Sequence, residues 1–472
     1  MDAHPQRILA QFLHGRSLQT PGRRHSLLRI TSSSLDGTRV QKDRVAKRAV
    51  PASFFPPTTR IAMRFSAASF SVLGLCLHAK AQSLNATGLV TALQGAGLTS
   101  LAAAAEKVIG TKAGQALLSA LVSGGNYTVF APDNAAFDAP DISNDPEVLA
   151  AVLSYHVLPG YFANISHNAS SLDSGVNPSV TVGRTLLTNS TFTNLEGDKG
   201  QVVAWTRNDT NSGIFFLNQS PQINVLNTTV VDHILVAVIS GILTPPKGLA
   251  DVAKASNLTA LTGFVDIINI PHFFANGSNA TAEQALEANS TRGYTLFAPD
   301  NAALQEAGSS LSGLANNQTA LLTLLGNHYI NGTSLYSPEL VGGSSNSEFV
   351  SASGQTFSFN SNSSGLFVTS QNGASAKVVK SDVLVDNGVV HVIDRVLVNL
   401  NLNESKASSA YQSATSAAAQ SHTQTGPIGP TSTSSTNSTG GTHSGHNGAV
   451  AVSAGVVGAV GWLVFLGLVL VF

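Results

Sequence analysis

A block of ten residues occurs twice in this chain, as Thr128-Val-Phe-Ala-Pro-Asp-Asn-Ala-Ala-Phe137 and as Thr295-Leu-Phe-Ala-Pro-Asp-Asn-Ala-Ala-Leu304, with an offset of 167 residues. A second landmark follows each block: Tyr155-His156 with Val-Leu-Pro-Gly behind it, and His328-Tyr329 with Ile-Asn-Gly332 behind it, 172 residues apart. Self-similarity of this kind means two copies of one domain. The block also has a local physical reading. Thr128 to Ala131, with Phe130 inside it, is a short apolar strand; Pro132 ends it, having no N–H to give a ladder; Asp133 or Asn134 then caps a helix carrying Phe137. Phe297, Pro299, Asp300 and Asn301 repeat the arrangement.

Upstream of the first block, residues 88–122 place apolar side chains at helical spacing, whereas the stretch after each histidine reads as short alternating strands separated by Asn, Gly and Ser. Each copy closes on an apolar strand run, at 225–246 and 376–400. The second run contains Asn387-Gly388-Val389-Val390-His391-Val392-Ile393-Asp394, whose Asn-Gly pair predicts a hairpin turn. Helices followed by strands predict an α+β plan for each copy, with domains at 84–245 and 246–400.

The two ends bear on the compartment. Met63-Arg64, the apolar run Phe65 to Leu77 and Ala79-Lys80-Ala81 have the layout of a secretory signal peptide, 63–81, cleaved after Ala81. Residues 1–62 form an Arg/Ser-rich head expected to be missing from the mature protein, with translation starting at Met63. The last 24 residues, from Ala449, carry no charge, and the nearest basic residue upstream is Lys406. Small residues before such a tail predict transfer to a glycosylphosphatidylinositol anchor in the outer leaflet, at Asn447 with Ser444 and Gly441 as alternatives, and loss of 448–472 as a propeptide. Residues 404–447, rich in Ser, Thr, Ala and Gly, read as a disordered, O-glycosylated stalk.

Removing the head and signal changes the charge. Residues 1–64 hold 12 of the 25 Lys and Arg but three acids, so with Lys80 also lost the remainder has 12 basic residues against 23 acidic ones, a surface that repels nucleic acid. Cys76, the single cysteine, leaves with the signal. That excludes disulfides, a thiolate nucleophile and cysteine metal ligation.

Asn-x-Ser/Thr triplets run the length of the chain, at Asn85, Asn126, Asn164, Asn168, Asn189, Asn208, Asn227, Asn257, Asn276, Asn279, Asn289, Asn317, Asn331, Asn362, Asn403 and Asn437. They are expected to be N-glycosylated and hence to face solvent. Asn218 begins a further triplet, set aside because Pro221 follows its serine.

Candidate chemistry is thin. His156, His328 and His391 lie in apolar runs where a buried, hydrogen-bonded imidazole is the expected state, and Asp133 and Asp300 are sufficiently explained as caps. No H-E-x-x-H, G-x-S-x-G, P-loop or dinucleotide fingerprint is present, so neither catalysis nor a cofactor or metal is expected.

The two T-[VL]-F-A-P-D-N-A-A segments, Tyr155-His156, and the stretch from Asn387 to Asp394 together resemble the fasciclin domain family over nearly all of residues 84–400. The resemblance implies two compact α+β domains, each a helical layer beside a twisted β-wedge, and a role in extracellular adhesion. The partners it implies are cell-surface, wall or matrix components or a further copy of the chain, met through the Phe130 and Phe297 regions or the glycans. Anchor, stalk and sequons together resemble those of fungal surface proteins. Departures are visible: Ala237 and Ser240 stand in the first copy where the second has His391 and Asp394, and the spacing from the first histidine to that position is 81 residues against 63.

Overall fold

The computed structural model describes residues 86–138, 143–162, 180–207, 213–341, 348–371, 375–420 and 423–429. The head, the signal-like segment, the apolar tail, the three candidate anchor residues and the sequons Asn85, Asn164, Asn168, Asn208 and Asn437 lie outside these residues. Among the described residues no helix is long and apolar enough to cross a membrane.

The first domain opens with three ten-residue helices, α1 (Ala86–Gly95), α2 (Thr99–Val108) and α3 (Lys112–Leu121). Thr111 starts α3 by accepting from Gly114 N, which satisfies a backbone donor that the helix cannot. Strand β1 (Tyr127–Pro132) follows, then a 3-10 turn over Ala135–Asp138, helix α4 (Pro146–Tyr155) and β2 (Val157–Pro159). Strands β3 (Val180–Arg184), β4 (Val202–Arg207), β5 (Ile214–Phe216), β6 (Val225–Val231) and β7 (Ile234–Ile239) complete it.

The second domain repeats the order with more, shorter helices. It runs through α5 (Leu249–Ala255), α6 (Thr259–Asp266), a ribbon of β8 (Asn269–Ile270) and β9 (Ala280–Thr281), and α7 (Ala282–Leu286). Then come β10 (Tyr294–Pro299), α8 (Asn301–Glu306), α9 (Gly308–Ser312), α10 (Gln318–Gly326), β11 (Tyr329–Asn331) and α11 (Ser337–Val341). Strands β12 (Phe349–Val350), β13 (Thr356–Asn362), β14 (Gly365–Ser370), β15 (Ser375–Val385) and β16 (Gly388–Ile393) close it.

The duplicated block supplies the central strand of each main sheet. β1 pairs in parallel with β7 and antiparallel with β2; β10 pairs in parallel with β16 and antiparallel with β11. Covered by helices on one side and strands on the other, a central strand is expected to read as a continuous apolar run, and both copies do. The copies differ at the strand before the closing hairpin. β15 is eleven residues long and shifts register twice, which lets it pair with β16 at one end and β14 at the other and fuse everything into one seven-stranded sheet. Its counterpart β6 has seven residues and one shift, so the first domain splits into sheets of four and three strands, bridged through Phe215 and Asn224.

The hairpin expected at Asn387-Gly388 forms, with Val385 facing Gly388 across a turn made by Asp386 and Asn387. Asn387 anchors that turn to the helical layer, its Nδ2 donating to Leu286 O (2.7 Å) and Thr291 O (3.0 Å). In the first copy Asp232 and His233 make the turn, and His233 Nε2 reaches Leu121 O at 3.0 Å.

Both domains belong to one compact unit. The outward face of β4 and its neighbour β3, Val182, Val202 and Ala204, is buried with Tyr336, Leu384 and Val389 of the second domain in one apolar cluster. Polar contacts surround it. Gln201 Nε2 donates to Val385 O (3.1 Å), Asn194 N to Asp386 O (2.8 Å), Asn218 Nδ2 to Asp382 O (2.7 Å) and Ser334 Oγ to the buried Glu196 Oε2 (2.9 Å). At the corresponding position of the second domain, the outward residues Ser358 and Asn360 of β13 are polar and exposed.

The stalk reading needs correction over its first part. Residues Glu404–Ala419 form a 16-residue helix, α12, capped by Asn403, and Ile428 beyond it is buried in the interdomain cluster with its N–H on Val182 O at 2.8 Å. Scarcity of large apolar groups suggested disorder, but alanine has the highest helix propensity, and a helix of small residues can dock where its receptor also lacks side chains. A Cβ on Gly197 would lie 2.4 Å from Ala418 O, one on Gly354 2.0 Å from Asn403 O, and one on Gly160 1.8 Å from Thr425 O. Residues 403–420 and 423–429 therefore lie against both domains and brace the pair.

Candidate functional site

The positions that carry the repeated motifs are the natural place to look for chemistry, and the structure shows each being used to hold the fold. Asp133 Oδ1 accepts from Ala136 N (2.8 Å) and Asp300 Oδ1 from Ala303 N (2.7 Å), the capping expected for both. The asparagines beside them do something else. Asn134 Oδ1 accepts from Ser100 N (2.9 Å) while its Nδ2 donates to Gly97 O (2.8 Å); Asn301 does the same to Ala260 N (3.0 Å) and Asn257 O (2.8 Å). Each Asp-Asn pair thus starts one helix and fastens the first turn of another, α2 or α6, to the end of the central strand.

His156 and His328 are buried and bonded identically. Nδ1–H of His156 donates to Val152 O (2.8 Å) and Nε2 accepts from Leu243 N (2.8 Å); for His328 the partners are Leu324 O (2.8 Å) and Leu397 N (2.9 Å). An accepting Nε2 fixes the neutral Nδ1–H tautomer. Burial pushes both imidazoles down to about 4, against the smaller upward pull of the carbonyl bond. Both nitrogens are spent on backbone, so neither ring is placed to move a proton to a substrate.

His391 is likewise buried, donating from Nε2 to Leu335 O (2.9 Å), and burial lowers its pKa although Asp382 nearby opposes the shift. Its ring stacks on Phe297, with centroids 5.7 Å apart. Where the first copy has Ala237, Phe130 meets Trp205 and Phe216 edge-on instead, at 5.6 and 4.8 Å. Ser240 replaces Asp394 without loss of function: Ser240 Oγ accepts from Asn224 N (3.0 Å) as Asp394 Oδ1 accepts from Lys377 N (2.8 Å). Tyr155 is buried with its hydroxyl on Val202 O at 2.8 Å.

Phe130 and Phe297, expected near a contact face, are both fully buried, which rules out direct contact with a partner. A strand paired on both edges and covered on both faces has no outer side to present. Pro132 and Pro299 end their strands as expected.

Among the described residues no cluster of three His, Cys, Asp or Glu has the arrangement of a metal site. An apolar cavity of about 70 Å³ lies in the first domain between α1–α3 and the sheet, bordered by Leu93, Leu117 and Val231 and touching His156. Its lining includes no charged residue.

The sequons fare differently from one another. Asn126, Asn189, Asn227, Asn257, Asn276, Asn279, Asn289, Asn317, Asn362 and Asn403 are exposed. Asn331 is an exception and corrects the expectation of a solvent-facing site: it lies within β11, paired to Tyr294, and is 8% exposed. Asn218, set aside above, has its amide nitrogen committed to the interdomain bond to Asp382.

Sequence reasoning missed the residues that join the domains, Glu196, Gln201, Ser334, Asp382 and Ile428. One signal was available, since β4 carries apolar residues on both faces whereas β13 alternates.

A family model described as Fasciclin domain matches residues 81–220 and 270–399. Among curated proteins, a "Fasciclin-like arabinogalactan protein" from Arthroderma benhamiae (strain ATCC MYA-4681 / CBS 112371) is 26% identical over 286 residues, covering 58% of this chain. The matched part also spans 58% of that relative's length. Among solved structures, a FAS1 domain pair from the insect cell adhesion molecule fasciclin I aligns over 65% of this chain and 98% of its own, at 16% identity and a TM-score of 0.28.

Proposed function

This chain belongs to the fasciclin domain family, and on that premise we propose that it is a secreted, N-glycosylated, lipid-anchored surface protein whose domain pair serves cell adhesion or wall and matrix organisation. One observation carries the non-catalytic part of this reading: the histidines, aspartates and asparagines of the repeated motifs are consumed in bonds to backbone, two domains alike. A protein built this way acts through its exterior. The exterior it offers is a braced pair of domains carrying ten exposed sequon asparagines among the described residues. Secretion and anchoring rest on the signal-like segment at 63–81 and the small-residue site before the apolar tail. The relative's name, a fasciclin-like arabinogalactan protein, supports the carbohydrate-bearing part of this reading.

The test is treatment of intact cells with phosphatidylinositol-specific phospholipase, followed by an attachment assay with and without the released protein. Release together with weakened attachment is the expected result. Retention on the cell overturns the anchor; release with unchanged attachment and wall integrity overturns the adhesive role. The spread of exposed sequons favours a second reading, a glycan-bearing spacer. On that reading, replacing residues 84–400 by an inert module preserves function.

A further inference from the structure

A concavity with both polar and apolar walls lies in the first domain and has no part in the motifs. It is a groove of about 840 Å³ between α3, α4, the loop after β3, the Gly197–Gly200 turn and the segment at 423–424. That volume falls within the range of roughly 300–1,000 Å³ typical of sites that enclose a ligand. Its walls carry hydrogen-bonding groups of both kinds, among them Lys112, Glu147, Arg184, Lys199 and Gln424. A neutral, hydroxyl-rich ligand suits such a mixture better than an apolar or a strongly charged one.

One wall residue is Asn189, the exposed first residue of Asn189-Ser190-Thr191. Its side chain and backbone are both fixed. Oδ1 accepts from Thr191 N (2.9 Å), and its carbonyl oxygen accepts from Phe192 N (2.9 Å) and Thr193 N (3.1 Å). The Oδ1 bond leaves Nδ2, the atom that a glycan would join, outside the turn. A sugar chain rooted here would start from a rigid point on the groove's rim rather than from a swinging tip.

We infer that the N-glycan of Asn189 folds back into this groove and fills it with its core sugars, so that the modification becomes a packed part of the domain. The inference rests on the glycoprotein reading above. Occupying the groove puts the glycan against α3 and α4 on one side and Thr423–Gln424 on the other, so it joins the body of the first domain to the brace. Asn362 provides the contrast. It also has its Oδ1 tied, to Ser364 N at 2.8 Å, but it stands at the β13–β14 hairpin among exposed neighbours.

The experiment uses full-length protein secreted from a eukaryotic host. Glycopeptide mass spectrometry gives occupancy at Asn189 and Asn362, and an endoglycosidase that cuts within the core is then applied to native and to denatured protein. The expected result is occupancy at both sites, release from Asn189 at least about tenfold slower than from Asn362 in the native protein, and equal rates after denaturation. Ala116→Trp, which puts bulk into the groove from α3, is expected to speed native release at Asn189 and leave Asn362 unchanged. Equal native rates with both sites occupied overturn the inference and leave the glycoprotein reading standing, as does a bare Asn189 beside an occupied Asn362. Bare asparagines throughout overturn both. Release at Asn189 that slows when soluble wall oligosaccharide is added gives the groove to an external polymer, which also overturns the inference.

Discussion

Leu384 and Val230 occupy the same station in the two copies, and one is sealed while the other is open. Thr128 pairs with Leu235 and Thr295 with Val389, and those partners face Val230 and Leu384 across the closing hairpins. Leu384 is 2% exposed because the first domain lies on it; Val230, with no domain upon it, is 53% exposed. The same β-hairpin position is therefore core in one copy and surface in the other.

Substitution at these two positions should separate accordingly. Leu384→Ala is expected to cost about 2–5 kcal/mol, the range for a buried leucine that leaves a cavity, whereas Val230→Ala should stay within roughly 0.5 kcal/mol. Urea melts of the two variants check this. Comparable losses would contradict the interdomain packing.

Docking of α12 can be tested at Tyr411, whose ring lies against Gly332, a Cβ there being 3.1 Å from the ring. Tyr411→Ala should weaken docking by about 1.5 kcal/mol, roughly half the value for a fully buried aromatic. Trypsin cleavage at Lys406, within α12, reads the result. Where opening is fast relative to cutting, each 1.4 kcal/mol corresponds to a tenfold faster cut, so acceleration of about tenfold is expected; an unchanged rate would mean that the helix does not depend on this contact.

Acid should act on the buried histidines with a definite sign. His156 and His328 are held at about 4 when folded and return to about 6.5 on unfolding, so between these values the unfolded chain binds more protons. Their contribution is present above pH 6.5 and is lost as pH falls toward 4. The Glu339 carboxyl, raised to about 7 mainly by burial, works in the opposite direction over pH 4.5–7, so the whole-protein slope mixes the two. The difference between wild type and His328→Gln isolates the imidazole. That difference should change by about 3 kcal/mol between pH 7 and pH 4, at 1.36 kcal/mol per unit; a pH-independent difference would refute the burial account.

The Asp-Asn pair predicts unequal roles for neighbours. Asp300→Ala removes one helix cap, worth about 1 kcal/mol. Asn301→Ala removes two backbone bonds to another helix and should cost more, about 1–3 kcal/mol, measured by the same melts. The reverse order would show that the asparagine's tie to α6 carries little.

Much of the fold was legible because local and long-range signals agreed. Pro132 and Pro299 end strands in sequence and in space, the aspartates cap, and the histidine landmarks align residue for residue once their backbone bonds are compared. Two features were not legible. Whether Phe130 faces a partner or a core depends on which strands flank β1, and one of them, β7, lies about a hundred residues further along the chain. The helix after Asn403 packs on glycines at 197, 332 and 354, a surface without side chains that composition cannot signal. Asn331 belongs to the same class: a triplet shows chemical eligibility, and only β-pairing shows that the site is closed.

The outward side of β13 has a consequence for association. Where β4 offers methyl groups to its neighbour, β13 offers the hydroxyl of Ser358 and the amide of Asn360. A surface packed here as the second domain packs on β4 would have to strip water from both groups, so the dry contact of the first domain has no equivalent on this strand.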